Sequence, residues 1–180
     1  MDKMKVAIVG KVHQKGLEFL KDNEFEVLEV SNFDDQILKN ELKFVDGILL
    51  RTTKLSKSVL SHCTNLKIIS RHGVGYDNVD IDYLNRNKIA LGITSTSNAV
   101  SVAEHVMSFF IYLTKNLSLS DSLVKKGDFE RKSELPNFFE LFEKKVLIVG
   151  FGRIGKEVAK RCQGFDMKVY VFDPFLDSNI

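Results

Sequence analysis

The first half of the chain alternates short apolar runs with segments whose apolar residues recur at helical spacing. The apolar runs are rich in Val, Ile and Leu and are bounded by polar residues or glycine, as buried parallel strands are. They predict strands at Lys5–Val9, Glu26–Val30, Gly47–Leu50, Lys67–Ser70 and Ile89–Gly92. The helical segments between them are Lys15–Lys21, Asp34–Asn40, Ser56–His62 and Asp80–Asn87. This alternation predicts a doubly wound α/β layer of the flavodoxin-like type.

The second half of the chain begins with a break in this alternation. Thr94–Ser101 is a run of mostly small polar residues, which predicts a loop. We place a domain boundary there and expect two domains, residues 1–98 and residues 99–180.

One long helix is predicted directly after this boundary. Val102–Leu119 is apolar on most faces, which favours a helix buried between domains or subunits. Ser101 and Glu104 have the spacing of a capping box, in which the hydroxyl and the carboxylate bind free N–H groups of the first turn. A polar connection at Lys125–Ser133 and an aromatic-rich segment at 138–142 then follow.

Residues 146–173 have the pattern of a dinucleotide-binding β-α-β unit. A glycine-rich hexamer, GFGRIG at 150–155, stands between an apolar run and a helical pattern, and a second apolar run ends at Asp173. A carboxylate about 20 residues after such a hexamer binds ribose hydroxyls and repels a 2′-phosphate, so NAD is expected rather than NADP. The alternative interpretation is a β-α-β unit with a glycine turn and no ligand.

Each position of the hexamer has a physical role in such a site. Gly150 permits the tight turn out of the strand, Gly152 lets the backbone approach a pyrophosphate, and Gly155 lets helix and sheet pack closely. The free N–H groups of Arg153 and Ile154 and the helix dipole favour phosphates.

A second glycine-containing loop, at 71–80, follows the fourth predicted strand. Gly73 and Gly75 let successive N–H groups converge on an anion such as a carboxylate. Arg51 and Arg71 lie at the carboxyl ends of neighbouring predicted strands, where doubly wound folds bind ligands. The pattern therefore predicts an anionic-substrate site, although the two arginines also fit the role of surface ion-pair partners.

Composition restricts the class of protein further. The 180 residues carry 26 basic and 24 acidic side chains with the two signs interspersed, so nucleic acid is not an expected partner. No uncharged run approaches the roughly 20 residues that span a bilayer, and no signal-peptide pattern precedes the first strand. Two cysteines without metal-ligand spacing are typical of reduced thiols in the cytoplasm, and no metal site is predicted.

Three ordered motifs carry a resemblance to a known family. They are RHGVGYDNVD at 71–80, NAVSVAEHV at 98–106 and the dinucleotide unit at 146–174. Together they resemble the D-isomer-specific 2-hydroxyacid dehydrogenases, most closely the phosphoglycerate dehydrogenases among them, over nearly the whole chain. In that family a flavodoxin-like substrate domain is interrupted by a Rossmann NAD-binding domain, and the chain later returns to the first domain.

The resemblance implies roles for individual residues. Val74 and Gly75 would offer backbone groups to the substrate carboxylate and touch the cofactor, while Arg51 and Arg71 would face the substrate. The residues implied to hold NAD are Arg153, Ile154 and Asp173, together with the three glycines of the hexamer. The helix opening at Ser101–Glu104 would lie near the nicotinamide, and the region 102–142 would form a homodimer interface.

The resemblance also implies that part of the enzyme is missing from this sequence. The family's catalytic arginine, and its histidine paired with a glutamate, come later in family order than Ile180, so no catalytic residue is assigned. His72 and His105 are interpreted as packing residues. We expect a flavodoxin-like substrate domain followed by a truncated Rossmann domain, a fragment that does not turn over substrate efficiently by itself.

Several alternatives remain open at this point. A non-catalytic, NAD-responsive binding protein of the corepressor type resembles the same family. A sibling dehydrogenase for glyoxylate, lactate or formate fits equally well, as does a free-standing product that pairs with itself or a partner. Two arginines near the substrate loop favour an acid with more than one anionic group, such as 3-phosphoglycerate, which the enzyme would oxidise to 3-phosphohydroxypyruvate.

Overall fold

The computed structural model describes residues 3–176 and divides the chain into two compact units, Met1–Ser95 and Thr96–Ile180. The division falls inside the polar segment Thr94–Ser101. The two predicted domains also include the terminal residues 1–2 and 177–180, which lie outside the described residues.

The first unit alternates five strands with four helices. The strands are β1 (Lys5–Val9), β2 (Glu26–Val30), β3 (Gly47–Leu50), β4 (Ile68–Arg71) and β5 (Ala90–Ile93). The helices are α1 (Gln14–Asp22), α2 (Asp35–Glu41), α3 (Lys57–Leu60) and α4 (Ile81–Asn87). The predicted bounds of β1, β2 and β3 are confirmed, and those of β4 and β5 are wrong by one residue. The two strands shift together because Arg71 pairs with Ile93 at the end of their ladder.

All five strands are parallel, in the order β2-β1-β3-β4-β5. This is the flavodoxin-like order, so the predicted α/β fold class is confirmed. One continuous core lies between the sheet and helices α2 to α4, and it includes fully buried Leu38, Ile48, Val59 and Leu84. The carboxyl ends of β1, β3 and β4 therefore lie side by side, where ligands bind in such sheets.

Short polar side chains begin three of these helices. Asp34 accepts from the N–H of Gln36, Ser56 from Val59, and Asp80 from Tyr83. Each side chain supplies an acceptor to a donor that the first turn leaves unpaired, which explains why the helices start where they do.

The second unit contains α5 (Ala99–Thr114), α6 (Leu117–Lys126), a 3₁₀ helix (Phe129–Glu134), β6 (Lys145–Val149), α7 (Arg153–Gly164) and β7 (Lys168–Phe172). Strands β6 and β7 pair in parallel, as the predicted dinucleotide unit requires. Helix α7 buries Val158, Ala159 and Cys162 against Ile148 of β6 and against α5, where the Cys162 sulfur lies 3.8 Å from that of Met107. The two described cysteines are both free.

The predicted capping box at Ser101 and Glu104 is wrong. Helix α5 begins at Ala99, after Asn98, so Ser101 lies inside its first turn. Burial of Ala99 favours this earlier start. Glu104 instead lies 3.4 Å from the Arg161 guanidinium of α7.

The prediction of a single helix over Val102–Leu119 is also wrong. The segment divides into α5 and α6, because Asn116 adopts a left-handed backbone with φ of 47°. Asparagine tolerates this conformation better than most residues. The apolar residues continue on both sides of the break, so hydropathy does not reveal it.

Among residues 3–176, no helix has both the length and the apolar character that a bilayer crossing requires.

Candidate functional site

The glycine-rich turn connects β6 to α7 in the second unit. Gly150 has a φ of 94°, a conformation that residues with a Cβ rarely adopt. Its N–H donates to the carbonyl of Phe172 at 2.8 Å, which holds the turn to the end of β7.

The other two glycines of the hexamer differ in their surroundings. A Cβ added to Gly155 would meet the carbonyl oxygen of Gly150, because α7 crosses the turn in direct contact with its backbone. A Cβ added to Gly152 would meet nothing within 4 Å. Gly155 is therefore needed for packing, whereas Gly152 leaves open space beside the first turn of α7.

The amino end of α7 has the features of a phosphate-binding helix start. Gly152 occupies the N-cap and has no side chain, so no side-chain acceptor caps the N–H groups of the first turn. Such groups and the helix dipole attract anions. The residues predicted to hold a pyrophosphate thus fit that group.

Asp173 lies beside the same turn. Its Oδ2 accepts from the N–H of Phe151 at 2.6 Å, and its Oδ1 accepts from Phe175 at 2.9 Å. These two backbone bonds, that to Phe151 first, hold the pKa of the Asp173 carboxyl below its usual value. A carboxylate has lone pairs for about four donors, so it retains acceptors for ribose hydroxyls. The bond to Phe151, which sequence reasoning missed, also joins the end of β7 to the glycine turn.

In the first unit, Arg51 is held against the loop that follows β1. Its Nη1 donates to the carbonyl of Lys11 at 3.2 Å. Gly10 has a φ of 109°, and a Cβ there would lie 2.8 Å from the Cβ of Arg51. The loop approaches the arginine this closely because residue 10 is glycine.

Arg71 folds back over its own loop. Its Nη1 donates to the carbonyl of His72 at 2.7 Å, and the guanidinium occupies the space that a Cβ on Gly73 would need. The Nε atom is buried without a partner among the described residues. Within the same part of the chain, the N–H groups of Val74 and Gly75 donate to no backbone carbonyl, which leaves them able to donate to a ligand.

Asn78 ties the loops after β3 and β4 together. Its side-chain amide donates to the carbonyl of Thr53 at 2.9 Å and to that of Arg51 at 3.4 Å. The backbone carbonyl of Asn78 accepts from the N–H of Leu55 at 2.9 Å, beside a bridge between Leu55 and Val79. Sequence reasoning did not single out Asn78, because its partners lie 25 and 27 residues away.

We expect Asn78→Asp to destabilise the chain by about 2 kcal/mol. The replacement has the same shape, but a carboxylate oxygen would then face the two carbonyl oxygens that now accept the amide, and a lost part-buried hydrogen bond costs this much. Urea unfolding measures the change in free energy. Asn87→Asp is the matched control, because Asn87 contacts only Tyr83 of its own helix in the exposed last turn. Equal stability of the two variants would contradict the bridging role of Asn78.

The predicted site residues thus form two groups, one in each unit. Arg51, Arg71, Val74 and Gly75 lie at the carboxyl ends of neighbouring strands β3 and β4. The glycine hexamer and Asp173 surround the turn between β6 and α7. The exposed ring of His105 meets that of Phe109 edge-on, with 4.4 Å between the ring centroids, along the surface of α5.

Comparison with known proteins gives a consistent result. Residues 6–164 match the model of a family described as D-isomer specific 2-hydroxyacid dehydrogenase, catalytic domain. The D-3-phosphoglycerate dehydrogenase of Archaeoglobus fulgidus is 33% identical over 174 residues. The match covers 96% of this chain and 33% of that protein, so the chain spans about a third of this relative's length.

Two solved structures resemble the chain closely. The cofactor-bound (NAD+) 3-phosphoglycerate dehydrogenase of Entamoeba histolytica is 26% identical with a TM-score of 0.78, and the match covers 99% of this chain and 56% of that one. The D-lactate dehydrogenase of Aquifex aeolicus, complexed with NAD and lactic acid, is 28% identical with a TM-score of 0.83. That match covers 97% of this chain and 53% of the other.

Proposed function

The chain belongs to the family of D-isomer specific 2-hydroxyacid dehydrogenases, and on that premise we propose that it binds NAD and 3-phosphoglycerate as part of a phosphoglycerate dehydrogenase. The intact reaction would oxidise the 2-hydroxyl of 3-phosphoglycerate to the ketone of 3-phosphohydroxypyruvate. The observation that supports this most directly is the pair of sites described above, an anion site in one unit and a dinucleotide turn in the other.

We assign one role to each unit. The first unit is the substrate domain, in which the N–H groups of Val74 and Gly75 bind the carboxylate and Arg51 and Arg71 supply positive charge. The second unit is the first part of the NAD-binding domain. The residues that hold the cofactor there are Gly150, Gly152, Arg153, Ile154, Gly155 and Asp173.

When bound, NAD supplies the hydride acceptor. The residues of this chain bind and orient the reactants, and we assign the proton transfer to none of its four histidines. General-base catalysis by histidine needs a ring oriented by a partner. Among residues 3–176 no carboxylate bonds to a histidine: His13 and His62 bond to nearby backbone groups, and His105 meets the ring of Phe109 edge-on.

Two features support NAD and a doubly charged acid over the alternatives. The Asp173 carboxylate lies at the end of β7, where it would repel the 2′-phosphate of NADP. The curated relatives from Archaeoglobus fulgidus and Bacillus subtilis, at 33% and 34% identity, are both phosphoglycerate dehydrogenases.

Calorimetric titration of the purified chain tests this proposal. We expect NAD to bind at least tenfold more tightly than NADP, and 3-phosphoglycerate to bind more tightly than D-lactate. Arg51→Ala should lower the affinity for 3-phosphoglycerate about tenfold and leave the affinity for NAD unchanged, because a charge-assisted hydrogen bond of about 1.5 kcal/mol or more is lost. Arg86→Ala is the control, since Arg86 contacts only Asp82 of its own helix. Equal binding of NAD and NADP, or no binding of either acid, would refute the proposal.

We also propose that the chain forms a homodimer through the region 102–142. The support is a set of large apolar side chains there that are at least half exposed: Phe109, Leu113, Val124, Phe138, Phe139 and Phe142. An apolar surface of this kind is typical of a subunit interface.

A further inference from the structure

A cleft of about 210 Å³ opens in the first unit at the carboxyl edge of the sheet. Its lining comprises Val12, His13, Gly16, Leu49, Ser70, His72 and Thr94. The lining therefore combines the apolar side chains of Val12 and Leu49 with two imidazoles and two hydroxyls. The proposed substrate site at Val74 and Gly75 uses none of these side chains.

His13 presents one specific donor to this cleft. Its Nδ1 accepts a hydrogen bond from the N–H of Lys15 at 3.2 Å, in the first turn of α1. An Nδ1 that accepts leaves the ring proton on Nε2. Because His13 lines the cleft and its Nδ1 accepts from the helix, the ring group left for a ligand is the Nε2–H.

The loops around the cleft carry more positive than negative charge. Residues 10–13, 51–56 and 71–80 contain four cations, Lys11, Arg51, Lys54 and Arg71, and two carboxylates, Asp77 and Asp80. Asp80 accepts from the N–H of Tyr83, and Arg51 is bonded to the loop that carries His13. The loops next to the cleft therefore favour an anionic group.

Strand order sets the distance between His13, on one side of this cleft, and the carboxylate site. β3 separates β1, which precedes His13, from β4, which precedes Val74 and Gly75. Two strand spacings amount to roughly 10 Å. A three-carbon acid with a distal phosphate can span this width when a hydrogen bond of about 3 Å is added at each end. Lactate has no distal phosphate and is too short.

We propose that His13 determines substrate specificity by donating its Nε2–H to the distal phosphate of the substrate, which the cleft receives. The inference rests on the proposed function, which places the carboxylate at Val74 and Gly75. His72 and Leu49 also line the cleft, and the apolar side chain of Leu49 can contact the carbon chain.

The test uses a variant that keeps the helix cap and removes the donor. In His13→Asn the shorter amide can still accept from the Lys15 N–H, since asparagine is a good N-cap, but it has no group at the position of Nε2. His62→Asn is the matched control, because His62 is exposed and its ring contacts only Ser58 and Ser61 nearby. Calorimetry with 3-phosphoglycerate, D-glycerate and inorganic phosphate measures affinity, and NMR of ¹⁵N-histidine-labelled chain follows each ring.

We expect His13→Asn to lower the affinity for 3-phosphoglycerate about tenfold and to leave the affinity for D-glycerate unchanged, because D-glycerate lacks the distal phosphate. The His13 ring resonances should shift with 3-phosphoglycerate and not with D-glycerate, and His62→Asn should change neither affinity.

Two results would overturn this inference while the proposed function stands. One is unchanged 3-phosphoglycerate affinity in His13→Asn when Arg51→Ala does weaken it. The other is a titration in which inorganic phosphate shifts the His13 ring resonances and binds as tightly as 3-phosphoglycerate. The cleft would then be an anion site unrelated to the substrate. If neither acid binds the unmodified chain, the proposed function fails and this inference fails with it.

Discussion

Gly155→Ala is expected to destabilise the second unit by at least about 2 kcal/mol and to abolish measurable NAD binding. The added methyl would meet the carbonyl oxygen of Gly150 and lie 3.4 Å from the Ile148 side chain. Backbone cannot rotate aside as a flexible side chain can, so α7 must move away from β6. This displacement would separate Val158 and Cys162 from the core they share with Ile148. Urea unfolding and NAD titration measure the two effects.

The same substitution at Gly152 should give the opposite pattern. An added methyl there meets nothing within 4 Å, and the φ of −72° suits any residue, so stability should change by less than about 1 kcal/mol. NAD affinity should nevertheless fall more than tenfold, because the methyl occupies the space a pyrophosphate needs. Gly164→Ala, at the far end of α7 and also in open space, controls for the added side chain. A Gly155→Ala chain as stable as Gly164→Ala would contradict the close contact of helix and turn.

Asp173→Asn is expected to weaken NAD more than tenfold and to remove the preference for NAD over NADP. The carboxylate accepts from Phe151 with one oxygen and from Phe175 with the other. An asparagine has one carbonyl oxygen, so its NH₂ group must face one of these two N–H donors. The variant therefore disturbs the glycine turn in addition to removing the charge that selects against a 2′-phosphate.

The two hydrogen bonds that Asp173 accepts also predict that the stability of the folded chain falls at acid pH. The pKa of Asp173 in the folded chain lies below the value of about 3.9 in an unfolded one. Its contribution to stability is therefore complete above that pH and is lost as the pH falls through the lower, folded value. Asp173→Asn should remove this part of the acid sensitivity. Asp166→Asn makes the same charge change just before β7 and should retain this acid sensitivity. A loss of acid sensitivity in both variants would argue against its assignment to Asp173.

The layered α/β architecture could be predicted because each strand is a short apolar run between polar residues. Glu26–Val30 and Gly47–Leu50 have no competing helical periodicity, so their bounds agree with the structure. The right-handed crossovers that parallel strands require restrict the possible strand orders to a few, of which the flavodoxin-like order is one. The fold class therefore depends on features that are local in sequence.

The errors in helix prediction have a different origin. The start of α5 depends on burial of Ala99, and its end depends on the left-handed backbone of Asn116. Neither changes the apolar pattern that runs from 102 to 119. Tertiary packing and one backbone conformation thus overrode periodicity.

At the candidate site, sequence spacing identified residue types but not their neighbours. The glycines and Asp173 follow from the local β-α-β pattern. The Asp173 bond to Phe151 and the Asn78 bonds to Thr53 and Arg51 connect residues 22 to 27 positions apart. Such contacts depend on how the loops meet at the edge of the sheet, which no local pattern encodes.

The hydrogen bonds of the Asn78 side chain restrict how the substrate site can change by mutation. The loop that carries Arg51 and the loop that carries Val74 and Gly75 share one amide, so neither can shift alone. Substitutions in the two loops should consequently be non-additive, each altering the effect of the other. A change of substrate in a descendant of this protein would then require coordinated replacements in both loops, and single replacements would pass through poorly functioning intermediates.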